Sequence, residues 1–599
     1  MKVFGHTFHI PVLGVGYSAD APAKVAKYGI SSVISIVDDI LLEQLRKHYH
    51  QKMDKPFEPI PAKEEDSRAK RVTAYLNLIN KIVEEQFETV RHSVFERGSE
   101  ITKYFEMLPD VSYLKQKYKE MLAEKEENSK AKLQNYLREN LYRGSIDVNI
   151  MTKLDKARYT AQGTQLSSEF NDAHSALRGF AMSNLESSIV FSAGMNPKLY
   201  SYLESFKDFH PREDGSFKKK IVVKVSDFRS ALIQGKFLAK KGLWVSEYRI
   251  ESGLNCGGHA FATDGLLLGP ILEEFKKRKQ ELEGSVKELL RHALCKKEIT
   301  TDESKLNVDI TVQGGVGLST EHEFLLRNYN VKSVGWGSPF LLVPEVMNVD
   351  ENTLARLSEA GEEDFYLSNS SPLGVPFNSL RNSGKDLERI ERMENGKPGS
   401  PCPKKFLEFN TDFTDKPICT ASTAYFKKLD TIKDNPELNA KYNADLNNAS
   451  DKNCLCEGLS ASTLIVKGIT DAKQSLAVAI CPGPNLAYFS KVATLREMVD
   501  HIYGRINLIT HPNRPNMFVK ELSLYIDFLH KKIDERVDFV SAQKEEFFNT
   551  FRNNLIDGIN YYKSMIPDIA EETEKIREKI RQDLDALEMK LMTYAVAGV

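Results

Sequence analysis

Residues 253–259 read GLNCGGH, and His259 is the side chain there whose unperturbed pKa lies nearest neutrality. A histidine set after two glycines at a strand end can take a proton from a carbon acid or give one to a reduced carbon, provided a ligand docks beside it. Cys256 is the rival reactive group, although a small buried thiol is the commoner state of cysteine. Three more glycine-bearing segments follow apolar runs: GVGYS (14–18), QGGVG (313–317) and GWGSP (335–339). Glycine at such ends lets a ligand approach backbone N–H groups. In QGGVGLSTEHEF, Gln313, Gly314, Gly315 and Val316 precede Ser319 or Thr320 as an N-cap, with Glu323 in the helix's first turn. That order suits an anion held by amides at a helix N-terminus. Gly337 and the Ser338 hydroxyl offer themselves to the same anion. One glycine pair is an ordinary turn; several converging on one histidine point to a phosphate-bearing cofactor.

These residues need a scaffold that brings strand ends together. HIPVLGVGYS, APAKVAKYG and ISSVISIVDD read as strand, helix, strand, with Gly29 closing the helix. Strand-like runs return at 187–195, 219–226, 242–250, 307–315 and 330–338, with helical stretches between several of them. An eighth strand is expected near 150–180. Repeated units over about 250 residues fit a (β/α)8 barrel, whose C-terminal strand ends share one mouth. Periodicity alone leaves a doubly wound sheet open. The barrel is assigned to 1–44 and 146–345. Residues 45–145 form a helical insertion, in which Val72, Leu76, Ile79, Val83, Phe87, Val90 and Val94 mark one apolar face. It is expected to be a packing layer or a lid. Residues 346–510 are loop-rich, and 511–599 are helical. Ile569, Ile576, Ile580, Leu584, Leu587 and Leu591 stripe the last helix, a packing face for this chain or for a second copy in a homo-oligomer.

At 599 residues the chain exceeds one ordinary core. Its net charge of −2 gives no electrostatic reason to expect nucleic acid or a membrane as partner. No secretory signal pattern or membrane-length apolar run is visible, so cytoplasmic placement is expected. Five of the seven cysteines fall at Cys402, Cys419, Cys454, Cys456 and Cys481. No C-x2-C step occurs among them, and buried free thiols are the plain reading. Arg381 is a candidate anchor for an anionic group.

IPVLGVGYSADAPAKVAKYG, GLNCGGHAF, VQGGVGLSTEHEFLLRNYNVKSVGWGSPF and SPLGVPFNSL together resemble the nitronate monooxygenase family, which includes the FMN-dependent enoyl-thioester reductases. The resemblance covers about 8–40 and 185–345, with a thinner extension to about 510. It implies a TIM barrel holding FMN at the strand ends. His259 would then face the flavin in proton transfer, Val15 and Gly16 would meet its ring, and Gly257 and Gly258 would lie beside it. The phosphate would be held by Gly314, Gly315, Val316, Gly337 and Ser338, with Gln313 as a further cofactor-binding residue. Asn255 and Cys256 depart from the family's acidic residue and alanine. Some enoyl-reductase-like members carry cysteines in the matching segment, which implies a [4Fe–4S] cluster on Cys402, Cys419, Cys454 and Cys456. NADH or NADPH would be the electron donor. The expected substrate is a small molecule or acyl thioester, reduced at an unsaturated carbon. An oxygen-using nitronate monooxygenase and a non-enzymatic flavin-binding interaction protein stay open as alternatives.

Overall fold

The computed structural model describes residues 4–160, 162–192, 194–469, 474–535, 542–570 and 572–596. The strand run expected at 187–195 includes position 193, outside these residues. Eight parallel strands close into a barrel in sequence order. They are β1 (Phe8–Ile10), β2 (Ser31–Ser35), β3 (Ile146–Met151), β4 (Ser187–Ser192), β5 (Lys219–Val225), β6 (Val245–Glu251), β7 (Asp309–Gln313) and β8 (Ser333–Gly335). Closure is direct: Phe8 pairs with Val334 and His9 with Gly335. That pairing decides for the barrel against the doubly wound sheet.

The eighth strand begins ahead of the expected window. β3 carries Asp147 and Asn149 among its apolar residues, and both are buried. These polar residues interrupt the apolar run by which a strand is found. Pro22 opens the first helix, and Gly29, at φ +80°, closes the turn behind it.

The helical insertion flanks the barrel. Helix Ser67–His92 buries Val72, Leu76, Ile79, Val83, Phe87 and Val90. Val94 lies beyond that helix and is exposed. The helix crosses helix Asp172–Ala181 so closely that a Cβ on Gly179 would come within 2.6 Å of Val72. Arg68 and Arg71 both reach the buried Asp39 carboxylate, at 2.6 and 3.0 Å. A charge so deep needs such partners.

Beyond the barrel, β9 (Phe365–Ser368) and β10 (Phe377–Leu380) make an antiparallel hairpin. Helix Leu455–Lys467 docks on the loop after β1, where the Gly16 amide donates to the Leu459 carbonyl at 3.0 Å. Of the last-helix stripe, Ile569, Ile580, Leu584 and Leu591 are buried against this chain's own helices, while Ile576 is exposed. No described helix is long and apolar enough to cross a membrane.

Candidate functional site

The C-terminal ends of the barrel strands open into a cavity of about 400 Å³, within the range of small-molecule sites. Val15, Gly257, Gly258, His259, Gln313, Gly314, Gly315, Val316, Gly337 and Ser338 all line it. Gly16 does not. A Cβ there would meet Thr463 Oγ1 at 2.5 Å and the Leu459 carbonyl at 3.0 Å, so its bareness serves helix packing. No residue between 45 and 145 lines the cavity, which makes the insertion a flanking layer and not a lid.

Polar side chains from the barrel interior form the floor. Lys224 pairs with Glu251 at 2.8 Å, and Gln313 Nε2 donates to the same carboxylate at 2.8 Å. Asn149 Oδ1 and Gln313 Oε1 are buried with no partner among the described residues, and both residues line the cavity. Buried acceptors are costly to leave unpaired, so the floor is shaped for a ligand that carries N–H donors.

The end of the cavity beside the loops after β7 and β8 is made of backbone. Gly314 and Gly315 hold φ +125° and +76°, and a Cβ on Gly315 would strike Asn255 Nδ2 at 2.0 Å. The amides of Gly315, Val316, Gly337 and Ser338 find no acceptor within the described chain. Ser338 Oγ accepts from the Gly483 amide at 2.7 Å, which leaves its own proton to donate. The following helix differs from the expected pattern. Its N-cap is Leu318, not Ser319 or Thr320, and the carboxylate that closes it belongs to Glu321, not Glu323. Glu321 accepts from the amides of Gly317 and Leu318 at 2.9 and 3.2 Å and pairs with the buried Arg514 at 2.7 Å. Its carboxylate thus takes up the amides that open this helix, and the free ones lie in the two glycine loops. Arg514 also donates to the Gly315 carbonyl at 2.8 Å, bracing the loop from behind.

At the other end the two glycines before His259 do different things. A Cβ on Gly257 would stand 2.5 Å from the Cys481 carbonyl, whereas Gly258, at φ +79°, has open space around it. Gly257 lets the 481–483 segment close on the loop, and Gly258 turns the chain so that His259 reaches the cavity. Asn255 supports the loop: its Nδ2 donates to the Met517 carbonyl at 3.3 Å, and its Oδ1 is unpartnered. Burial pushes the Cys256 thiol well above its usual pKa, which removes it as a thiolate nucleophile. Behind the loop, Glu521 accepts from Ser252 at 2.5 Å, the Leu268 amide at 3.0 Å and Tyr562 at 2.8 Å. Burial raises it to about 7.

His259 Nε2 lies 2.7 Å from Ser371 Oγ, and its ring meets Phe377 edge-on with centroids 4.8 Å apart. Burial first, then the nearby Lys153, lowers its pKa to about 4, so the imidazole is neutral at pH 7. Leu373, Val375 and Phe377 add an apolar wall here. Lys153 stands over the Phe261 ring at 5.1 Å and forms no ion pair among the described residues. None of Asn149, Lys153, Lys224 or Glu251 stands out by motif, and only strand-end position, once β3 is placed, would have flagged Asn149 and Lys153; Ser371 opens the SPLGVPFNSL segment and Cys481 is one of the five cysteines, but neither was read as lining the cavity. Arg381 stays outside the cavity, stacked on Tyr366 at 4.2 Å and donating to the Glu363 carbonyl.

The iron–sulfur expectation finds no support. Cys402, Cys419, Cys454 and Cys456 are buried as free thiols, and no group of three or more metal-ligating side chains among the described residues is arranged to hold an ion. Cys402 and Cys419 hydrogen-bond each other, which lowers the first and raises the second. Burial raises Cys454 and Cys456.

No family model and no curated protein matches the chain. It is similar to a solved mutant of FabK from Thermotoga maritima, at 11% identity and TM-score 0.30 over 63% of this chain and 80% of that one. It is also similar to the enoyl reductase domain of MlnA from the macrolactin biosynthesis cluster of Bacillus amyloliquefaciens. There the identity is 13% and the TM-score 0.32, over 68% of this chain and 88% of that one. Likeness of that degree carries no argument, and the barrel rests on its own strand pairing.

Proposed function

We propose that the protein is an FMN-dependent oxidoreductase that reduces an unsaturated, activated carbon such as that of an enoyl thioester. The observation that carries this reading is the single cavity in which an amide-lined anion end, a floor with unpartnered acceptors and His259 converge. These features fit FMN. Gly315, Val316, Gly337 and Ser338 would hold its phosphate, and Asn149 and Gln313 would accept from its ring N–H. Bound there, FMN supplies hydride chemistry. The chain's residues do the rest: Leu373, Val375 and Phe377 exclude water and receive an apolar acyl portion, while His259 faces the activating oxygen and its neighbouring carbon in proton transfer. NADH or NADPH is the proposed electron donor. The apolar wall favours this reading over a nitronate oxygenase, whose small charged substrate has no use for it.

The absorption spectrum of the purified full chain tests the cofactor. Bands near ~450 and ~370 nm are expected for flavin, and a colourless protein after FMN is supplied would sink the proposal. His259→Ala should keep the bands and lower turnover by about 10²- to 10⁴-fold. Following the reduced protein's reoxidation by enoyl thioester or by oxygen separates reductase from oxygenase.

A further inference from the structure

Ser371 is wholly buried, and among the described residues its hydroxyl has two hydrogen-bond partners: the Leu373 amide at 3.3 Å and His259 Nε2 at 2.7 Å. The amide can only donate. Ser371 Oγ therefore accepts from Leu373, and the hydroxyl's own proton has one acceptor in reach, Nε2. The reverse arrangement, with Nε2–H donating, would strand a buried hydroxyl proton without an acceptor. We infer that Ser371 fixes His259 as the Nδ1–H tautomer, so that the imidazole offers the cavity a hydrogen-bond donor and not a base.

Three further observations agree. His259 lines the cavity and is partly buried, and its Nδ1 has no partner within the described chain, so that nitrogen is open to a ligand. Phe377 packs on the ring edge, and the His259 and Phe377 backbones are bridged, which restricts rotation. Lys153 brings a positive charge to the same rim with no carboxylate paired to it among the described residues. An N–H donor beside an uncompensated cation selects an oxygen that gains negative charge, the carbonyl oxygen of a substrate being reduced. Abstraction of a proton from a carbon acid would need the bare nitrogen to face the cavity, and Ser371 holds that nitrogen away. Ser371 is thus a positioning residue acting through His259. The substrate assignment rests on the proposed reductase reading; the tautomer does not.

The test is nitrogen NMR of the full chain carrying ring-15N histidine, with the His259 signals identified by their loss in His259→Gln. Between pH 6 and 8, Nδ1 should resonate at the protonated-type frequency and Nε2 at the bare-type frequency. Ser371→Thr should retain that pattern, and in Ser371→Ala the two frequencies should move toward each other. A wild-type spectrum with Nε2 protonated would overturn the inference, as would a Ser371→Ala spectrum identical to wild type. Both readouts need neither flavin nor substrate. A correct tautomer in a colourless protein would therefore refute the reductase reading alone.

Discussion

At one end of the cavity the lining is backbone: four amides in the loops after β7 and β8, braced by Arg514 and Glu321. At the other end it is side chains drawn from distant segments, with His259 oriented by a serine 112 residues away. An amide points where its loop's φ and ψ put it, so glycine placement nearly specifies the first end. A side-chain donor depends on whatever packs against it, so the second end exists only once residues 369–377 have docked.

The strongest way to break this contrast is Arg514→Ala. The change leaves Glu321, only 2% exposed at its side chain, without its partner. Removing one member of a buried pair costs about 3–5 kcal/mol. The unfolding midpoint should fall, and flavin should be lost on gel filtration while the His259 NMR signals keep their wild-type pattern. If both ends fail together, they are not separately built.

Glu521→Gln probes the ground between the ends, because Glu521 holds Ser252 just before the histidine loop. Its folded pKa of about 7 lies above the ordinary 4.5. The folded protein therefore binds the extra proton between those values, and stability falls as pH rises through that window and stays low above it. The shift corresponds to about 3 kcal/mol. Denaturation measured from pH 4.5 to 8 should show that decline in the wild type and a flatter profile in the variant.

The smallest effects come from the glycine pair. Gly258→Ala pays only for its left-handed backbone, about 1–2 kcal/mol. Gly257→Ala carries no such backbone cost but must displace the Cys481 carbonyl, a backbone atom, and should destabilise more. Equal unfolding midpoints for the two variants would remove the distinction drawn between them.

Much of the barrel was legible because seven strands kept their apolar runs and their glycine ends. β3 was misplaced because Asp147 and Asn149 turn polar groups into the barrel, where a run-based reading expects apolar ones. The glycines of the loops after β7 and β8 were readable for the same reason as the strands: they are local. Glu321 was missed in favour of Glu323 because the helix starts at Ser319, capped by Leu318, which puts Glu321 at its third position; Arg514, about 190 residues downstream, then pairs with it. Gly16, read as a flavin contact, proved to be where helix Leu455–Lys467 comes close.

By itself, then, the sequence determined the alternation of strand and helix, the glycine-lined mouth and the presence of a histidine there, since each follows from residues within a few positions of one another. Only the tertiary structure decided that the sheet closes, that Gly16 lies against helix Leu455–Lys467 and that Ser371 meets His259. Each of those depends on the geometry between segments far apart in the chain, which local spacing does not encode.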